Sequence, residues 1–503
     1  MVALQDLAAG FTDVGTQLGV LVLVPWDLMR TRGSFALVFL LALTPVDANE
    51  ASLRDKLLAI ALTPNLGGDG TRPLTSEKAF ELQNANSPRE HQRPFAFGNR
   101  LFNTNWVQAP ASVATFDGLG PMFNRVSCSG CHTKDGRGQP PENNHGPMQS
   151  MLLRLGLPGI GEHGGVIPVP NYGDQLSERS LPELSPEGRV SITYVERSGH
   201  YADGVPYALR HPVYTITETA YGPLPDNLLI SPRVAPQMIG LGLLQSVPEA
   251  TLNALADADD TDNDGISGRP NIVWDAALQT HALGRFGWKA SQPTLLQQNA
   301  GAAAGDIGLS TSLFPNQNCR PAQSECAEII SGGNPEISDD YLLKLTLYTL
   351  TIAVPAQRNP TDPQAIAGQQ IFARIGCSSC HMPSLQSEPI EGFPELSEQT
   401  FHPFTDLLLH DIGPDLADNR PDFAADGSEW RTAPLWGLGL VKTVNTNSCC
   451  TTVAPVVLPK QSSGTAAKAK RPNRPSVTCP KPTATTSSPF STRFDLAGML
   501  PRQ

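Results

Sequence analysis

A chain of 503 residues has room for two to four domains and a sizeable core. Its net charge of −12 excludes a nucleic-acid partner, which needs a basic surface to neutralise phosphates. No uninterrupted apolar run reaches the roughly 18–20 residues needed to span a bilayer, so no transmembrane span is expected in the mature protein. High Pro (46) and Gly (44) predict many turns and irregular connections.

In chain order, Met29-Arg30-Thr31-Arg32 precedes the apolar run 35–43 and then Val46-Asp47-Ala48. A basic segment, a short apolar run and a small-x-small site describe a secretory signal peptide over residues 29–48, and the expected location is periplasmic. Signal peptides begin at a start codon, so residues 1–28 read as an over-extended gene start. Helical composition is expected over 77–83, 340–350 and 365–375, the last leading into a cysteine motif. Alternation with β-branched residues predicts short strands over 189–196 and 213–219. Pro recurs over 354–362, which places a linker between an N-terminal unit, 75–353, and a C-terminal unit, 363–448.

Two motifs carry the chemistry: Cys128-Ser129-Gly130-Cys131-His132 and Cys377-Ser378-Ser379-Cys380-His381. Cys-x-x-Cys-His attaches c-type haem: the two thiols form thioethers with the porphyrin vinyls, and the next His supplies the axial nitrogen. A thioredoxin-like pair or half a zinc site could use one Cys-x-x-Cys, but neither requires His directly after it twice. The reading is therefore two haem c groups, with Cys128, Cys131, Cys377 and Cys380 covalent and His132 and His381 axial. In an oxidising compartment Cys319 and Cys326 are expected to form a local disulfide.

The segments around the motifs resemble the dihaem oxidoreductase family, relatives of the bacterial dihaem cytochrome c peroxidases and MauG-type enzymes. The resemblance runs from about Gly98 to Leu440. It includes Asp117-Gly118-Leu119-Gly120-Pro121, Asp135-Gly136-Arg137-Gly138, Leu283-Gly284-Arg285-Phe286-Gly287-Trp288, Phe404-Thr405-Asp406-Leu407-Leu408-Leu409-His410-Asp411 and Glu429-Trp430-Arg431-Thr432. It implies a mainly α fold of two cytochrome c-like haem domains, the first enlarged by irregular and short β insertions. The activity implied is electron passage between two haems, one of which meets an oxidant such as peroxide. A small redox protein or a quinol-linked donor would supply the electrons. A pure electron carrier with no substrate site stays open beside this, as does a role in metal handling.

Asp260, Asp262 and Asp264, in D-x-D-x-D-G order, are a candidate calcium site. Position 12 is Asn271 rather than Glu, so this is not a complete EF-hand, and a solvated acidic loop is the alternative. The family's interdomain calcium supports the site. Trp288 is a candidate for electron transfer between the haems, although core packing is the commoner role of Trp, and Trp274 is similarly placed. Glu196 is a candidate acid/base for peroxide cleavage. Distal-ligand candidates at the first haem are His145, His163, His200, His211, Met122, Met148 and Met238. His410 reads as a hydrogen-bonding residue rather than a ligand.

From Cys449 to Gln503 eight Lys/Arg accompany one Asp, against 28 basic and 47 acidic residues before it. This Pro-, Thr- and Ser-rich segment reads as disordered. Similar proteins continue past Leu438-Gly439 with Leu-His-Asp-Gly-Arg-Ala and then Trp-His-Gly-Gly-Glu. Read one base earlier, the codons of Cys450 to Pro455 permit the first stretch and those of Gly464 to Lys468 the second. A frameshift just before Cys449 is therefore expected. It would remove the region that supplies the second haem's sixth ligand in related peroxidases, and a non-functional product is then an open alternative.

Overall fold

The computed structural model describes residues 63–141 and 147–445. The expected signal peptide, the gene-start segment, His145 and the tail from Cys449 lie outside these residues. The described residues all belong to one compact unit that begins at Asn49.

Seven α-helices occur among the described residues: α1 (Arg89–Asn103), α2 (Leu241–Gln245), α3 (Glu249–Leu255), α4 (Leu295–Ala302), α5 (Asp339–Thr351), α6 (Pro363–Arg374) and α7 (Val441–Val444). Among the described residues, twelve strands pair off as six two-stranded antiparallel ribbons. They are β1 (Met122–Phe123) with β3 (Arg179–Ser180), β2 (Met151–Gly156) with β6 (Leu229–Val234), and β4 (Arg189–His200) with β5 (Pro206–Thr217). The others are β7 (Asn271–Asp275) with β8 (Thr280–Gly284), β9 (Leu385–Gln386) with β10 (Thr400–Phe401), and β11 (Leu409–Asp411) with β12 (Glu429–Arg431).

This corrects the expectation of a mainly α, cytochrome c-like fold. Helix of all kinds accounts for 24% and strand for 20% of the structure. The physical reason lies in the punctuation: frequent Pro and Gly cut the chain into pieces too short for long helices. Their backbone groups find partners in ribbons and isolated bridges instead. Residues 77–83 form a turn rather than a helix, while α1, starting after Pro88, was not anticipated.

The helices that form have clear local causes. α5 is capped by Ser338, whose side chain accepts from the Tyr341 N–H, with Asp339 and Asp340 in its first turn. α6 has Asp362 as cap, accepting from Gln364 N–H at 2.8 Å, and Pro363 at its first position. α1 buries His91, Pro94, Gly98, Leu101 and Phe102, a helical stripe, against α5. The β4–β5 ribbon contains the predicted strand 189–196 and residues 213–217 of the predicted 213–219, and it extends past them toward the hairpin turn. The main core cluster draws Phe80, Leu101, Phe102, Ile239, Leu243, Leu345, Tyr348, Met382, Phe401 and Trp436 together, so segments beside both cysteine motifs share one apolar interior. Cys319 and Cys326 form a disulfide, Cα–Cα 5.9 Å.

Candidate haem sites

The two motifs adopt the same local structure. Cys128–Gly130 and Cys377–Ser379 are each a single 3-10 turn. At the first, the N–H groups of Cys131 and His132 both return to Cys128 O, at 3.1 and 3.0 Å. At the second, His381 N–H donates to Cys377 O at 2.9 Å. Two thiols and an imidazole are thereby gathered on one tight turn, which is what attachment of one porphyrin requires.

Each imidazole is anchored in the same way. His132 Nδ1 lies 2.7 Å from Pro236 O, and His381 Nδ1 lies 2.8 Å from Phe404 O. A carbonyl can only accept, so Nδ1 carries the proton and Nε2 keeps its lone pair for a metal. Burial pushes His132 down to about 4 against the opposing effect of the Pro236 bond, and it lowers His381 likewise. Both rings are neutral near pH 7, the form that ligates iron. Cys128, Cys131, Cys377 and Cys380 are free thiols. Burial, then the nearby Asp306 carboxylate, pushes Cys128 and Cys131 up to about 12.

Beside Cys128 lies an apolar cavity lined by Leu101, Trp106, Ala303, Ile307, Leu309, Ile337, Tyr341 and Leu345. One wall is the π-turn Ala303–Ile307 that continues α4. Such turns recur at functional sites because they bulge the helix toward a ligand. At both motifs the free thiols and an imidazole presenting Nε2 fit a covalently held haem, and at the first the apolar walls do so too.

Around the second motif a polar cavity is lined by Ser379, Leu255, Ile266, Asp406, His410 and the acidic loop. His410 has Nδ1 at 2.7 Å from Ser267 O and Nε2 at 2.8 Å from Asp406 Oδ2. Both partners accept, so both nitrogens carry protons. Burial pushes this ring's pKa down, and the Asp406 carboxylate, together with the free Cys380 sulfur 3.6 Å from Nδ1, overrides it, raising it to about 11. A doubly bonded imidazolium has no lone pair to offer a metal, so His410 joins segments rather than ligating.

Side-chain oxygens of Asp257, Asp260 and Asp262 lie within 4.8 Å of one another. Asp264 instead accepts from Ile266 N–H at 2.9 Å. Asp257 falls outside the D-x-D-x-D-G spacing; its Oδ1 accepts from Thr261 N–H at 2.8 Å and from Thr261 Oγ1 at 2.9 Å, and its backbone exchanges two hydrogen bonds with Gly268, each 2.8 Å. No pattern signal could have found it.

Trp288 joins the surroundings of both motifs. Its indole N–H donates to Val234 O at 2.7 Å, two residues before Pro236, and the Arg137 guanidinium lies 5.5 Å from its ring centre. Its own carbonyl accepts from Arg431 N–H at 2.9 Å, on the strand beside the second motif. Trp274 stacks on His163, with ring centres 3.8 Å apart. Glu196 is exposed on β4, near Ser198 Oγ at 3.5 Å, and is not brought together with either motif. His200 and His211 are on the same ribbon. Met122, Met148 and Met238 are buried in core clusters. The Pro236 and Phe404 carbonyls and the arginines around Trp288 were not singled out from sequence, because a backbone acceptor leaves no sequence signature.

Residues 67–451 match the family described as "Di-haem oxidoreductase, putative peroxidase". No curated protein and no solved structure matches this chain. The family match covers most of the chain and both cysteine motifs, and its haem cofactors accord with the geometry of the two turns. This chain belongs to the di-haem oxidoreductase family.

Proposed function

We propose that this protein is an exported periplasmic oxidoreductase that holds two haem c groups. One is bound through Cys128 and Cys131 with His132 as axial ligand, the other through Cys377 and Cys380 with His381 as axial ligand. When bound, the haems supply the redox-active iron. The chain's own residues fix the imidazoles, exclude water and set the path between the sites. The observation that carries the reading is the repeated anchoring of the motif imidazoles, Nδ1–H on a carbonyl and Nε2 available, inside the family-matched region. Trp288, contacting the surroundings of both motifs, is the candidate bridge for electrons. A small redox protein or a quinol-linked carrier would donate them, and a peroxide would accept them. The Asp257, Asp260 and Asp262 oxygens, with Asp264 beside them, would hold a calcium ion near the second motif.

Pyridine haemochrome spectra of the purified protein should give two haem c per chain, falling to one when Cys128 and Cys131 are both replaced by Ala. Carbon monoxide or cyanide should then perturb one haem in at least one redox state. If neither iron responds in any state, both are six-coordinate and the protein is an electron carrier, not a peroxidase.

A further inference from the structure

Two guanidinium groups lie beside Trp288 and, among the described residues, make no salt bridge. Arg431 donates from Nε to Gly287 O and from Nη1 to Thr432 O, each at 2.9 Å. Arg137 lies over the Trp288 ring. Among the described residues, neither has a carboxylate within salt-bridge distance, although other internal arginines do: Arg233 with Asp418 and Asp422, Arg154 with Asp174, Arg420 with Asp422. A sheltered cation with no bonded counter-charge is costly, and an anion arriving with a ligand would offset that cost. Burial pushes Arg431 down to about 10 against the opposing effect of the Asp406 carboxylate, and it lowers Arg137.

Each arginine sits on the anchoring side of one motif. Thr432 O, which takes Arg431 Nη1, also accepts from Thr405 Oγ1 at 2.6 Å, and Thr405 follows the Phe404 carbonyl that holds His381. Arg137 follows His132 by five residues and stacks on the indole bonded to Val234, beside the Pro236 carbonyl that holds His132. The pattern is repeated on the two sides of one tryptophan.

Resting on the two-haem reading above, we propose that Arg431 and Arg137 are positioning residues that receive a propionate carboxylate, Arg431 from the second haem and Arg137 from the first. Neutralising a propionate removes negative charge beside the iron and disfavours the ferric form. The two arginines therefore hold both potentials up from either side of Trp288. A guanidinium suits this role because it offers a planar fork to a carboxylate.

The test is spectroelectrochemical titration of the full-length holoprotein and of Arg431→Gln, Arg431→Lys, Arg137→Gln and Arg137→Lys. Pyridine haemochrome content is measured on each. Each Gln variant should lower the potential of one haem, a different one for each arginine, by on the order of tenfold in its reduction equilibrium. The Lys variants should retain most of the parental value. If the Gln variants carry two haems, lose thermal stability and keep both potentials, the arginines only staple backbone carbonyls and the proposal is overturned. If the parent itself lacks two covalent haems, it is the two-haem reading that fails.

Discussion

At the scale of single residues, the buried ionisable groups divide into those compensated internally and those that are not. Lys289 is fully buried, yet its ammonium meets Asp418 Oδ1 at 2.8 Å, Arg420 O at 2.9 Å and Asp426 O at 2.7 Å, which satisfies all three donors. Glu187 is different. Burial pushes its carboxyl up to about 7, against the hydrogen bonds it accepts from Ser177 N–H and Gln323 Nε2. The folded protein then holds this proton more tightly than the unfolded chain. The stability contributed is present in full below the unfolded value near 4.5 and is lost as pH rises through about 7. Thermal unfolding followed from pH 5 to pH 8 should show the melting temperature falling with pH, and Glu187→Gln should flatten that slope. An identical slope in the variant would refute the assignment.

At the scale of elements, close approach decides what side chains are tolerated. Where α1 crosses α5, a Cβ at Gly98 would lie 2.2 Å from Lys344 O and 2.6 Å from Tyr348 Cβ. The first of these atoms is backbone and cannot swing aside. Gly98→Ala should therefore destabilise the protein by about 1–3 kcal/mol through overpacking, outweighing any gain in helix propensity. A lowered denaturant midpoint at unchanged slope would show it, and an unchanged midpoint would mean that the helices can separate. Much at this scale was legible in the chain. The cap residues Ser338 and Asp362 with Pro363 mark α5 and α6, and β-branched alternation marks β4 and β5. α1 was not anticipated; it holds Pro94 in its interior, and Gly98 is what lets the two helices touch. The class was misjudged because helical composition near the motifs says nothing about the ribbons that pair segments far apart in sequence.

At the scale of the whole molecule, the acidic loop and the second motif face one cavity, so a cation bound there would be linked to global stability. Added calcium should raise the melting temperature of the holoprotein, and Asp257→Asn or Asp262→Asn should abolish the increment. A melting temperature indifferent to calcium in the parent would discard the ion. The sequence by itself determined the chemistry of the sites: Cys-x-x-Cys-His places two thiols and an imidazole on one turn whatever surrounds it, because that spacing is local. Only tertiary structure decided how each imidazole is oriented, which acidic oxygens converge and which arginines stand beside Trp288. Pro236 and Phe404 act through their carbonyls, and Arg137 and Arg431 come from opposite ends of the described chain. Backbone acceptors and contacts across hundreds of residues have no period or spacing to read, so packing alone brings them together.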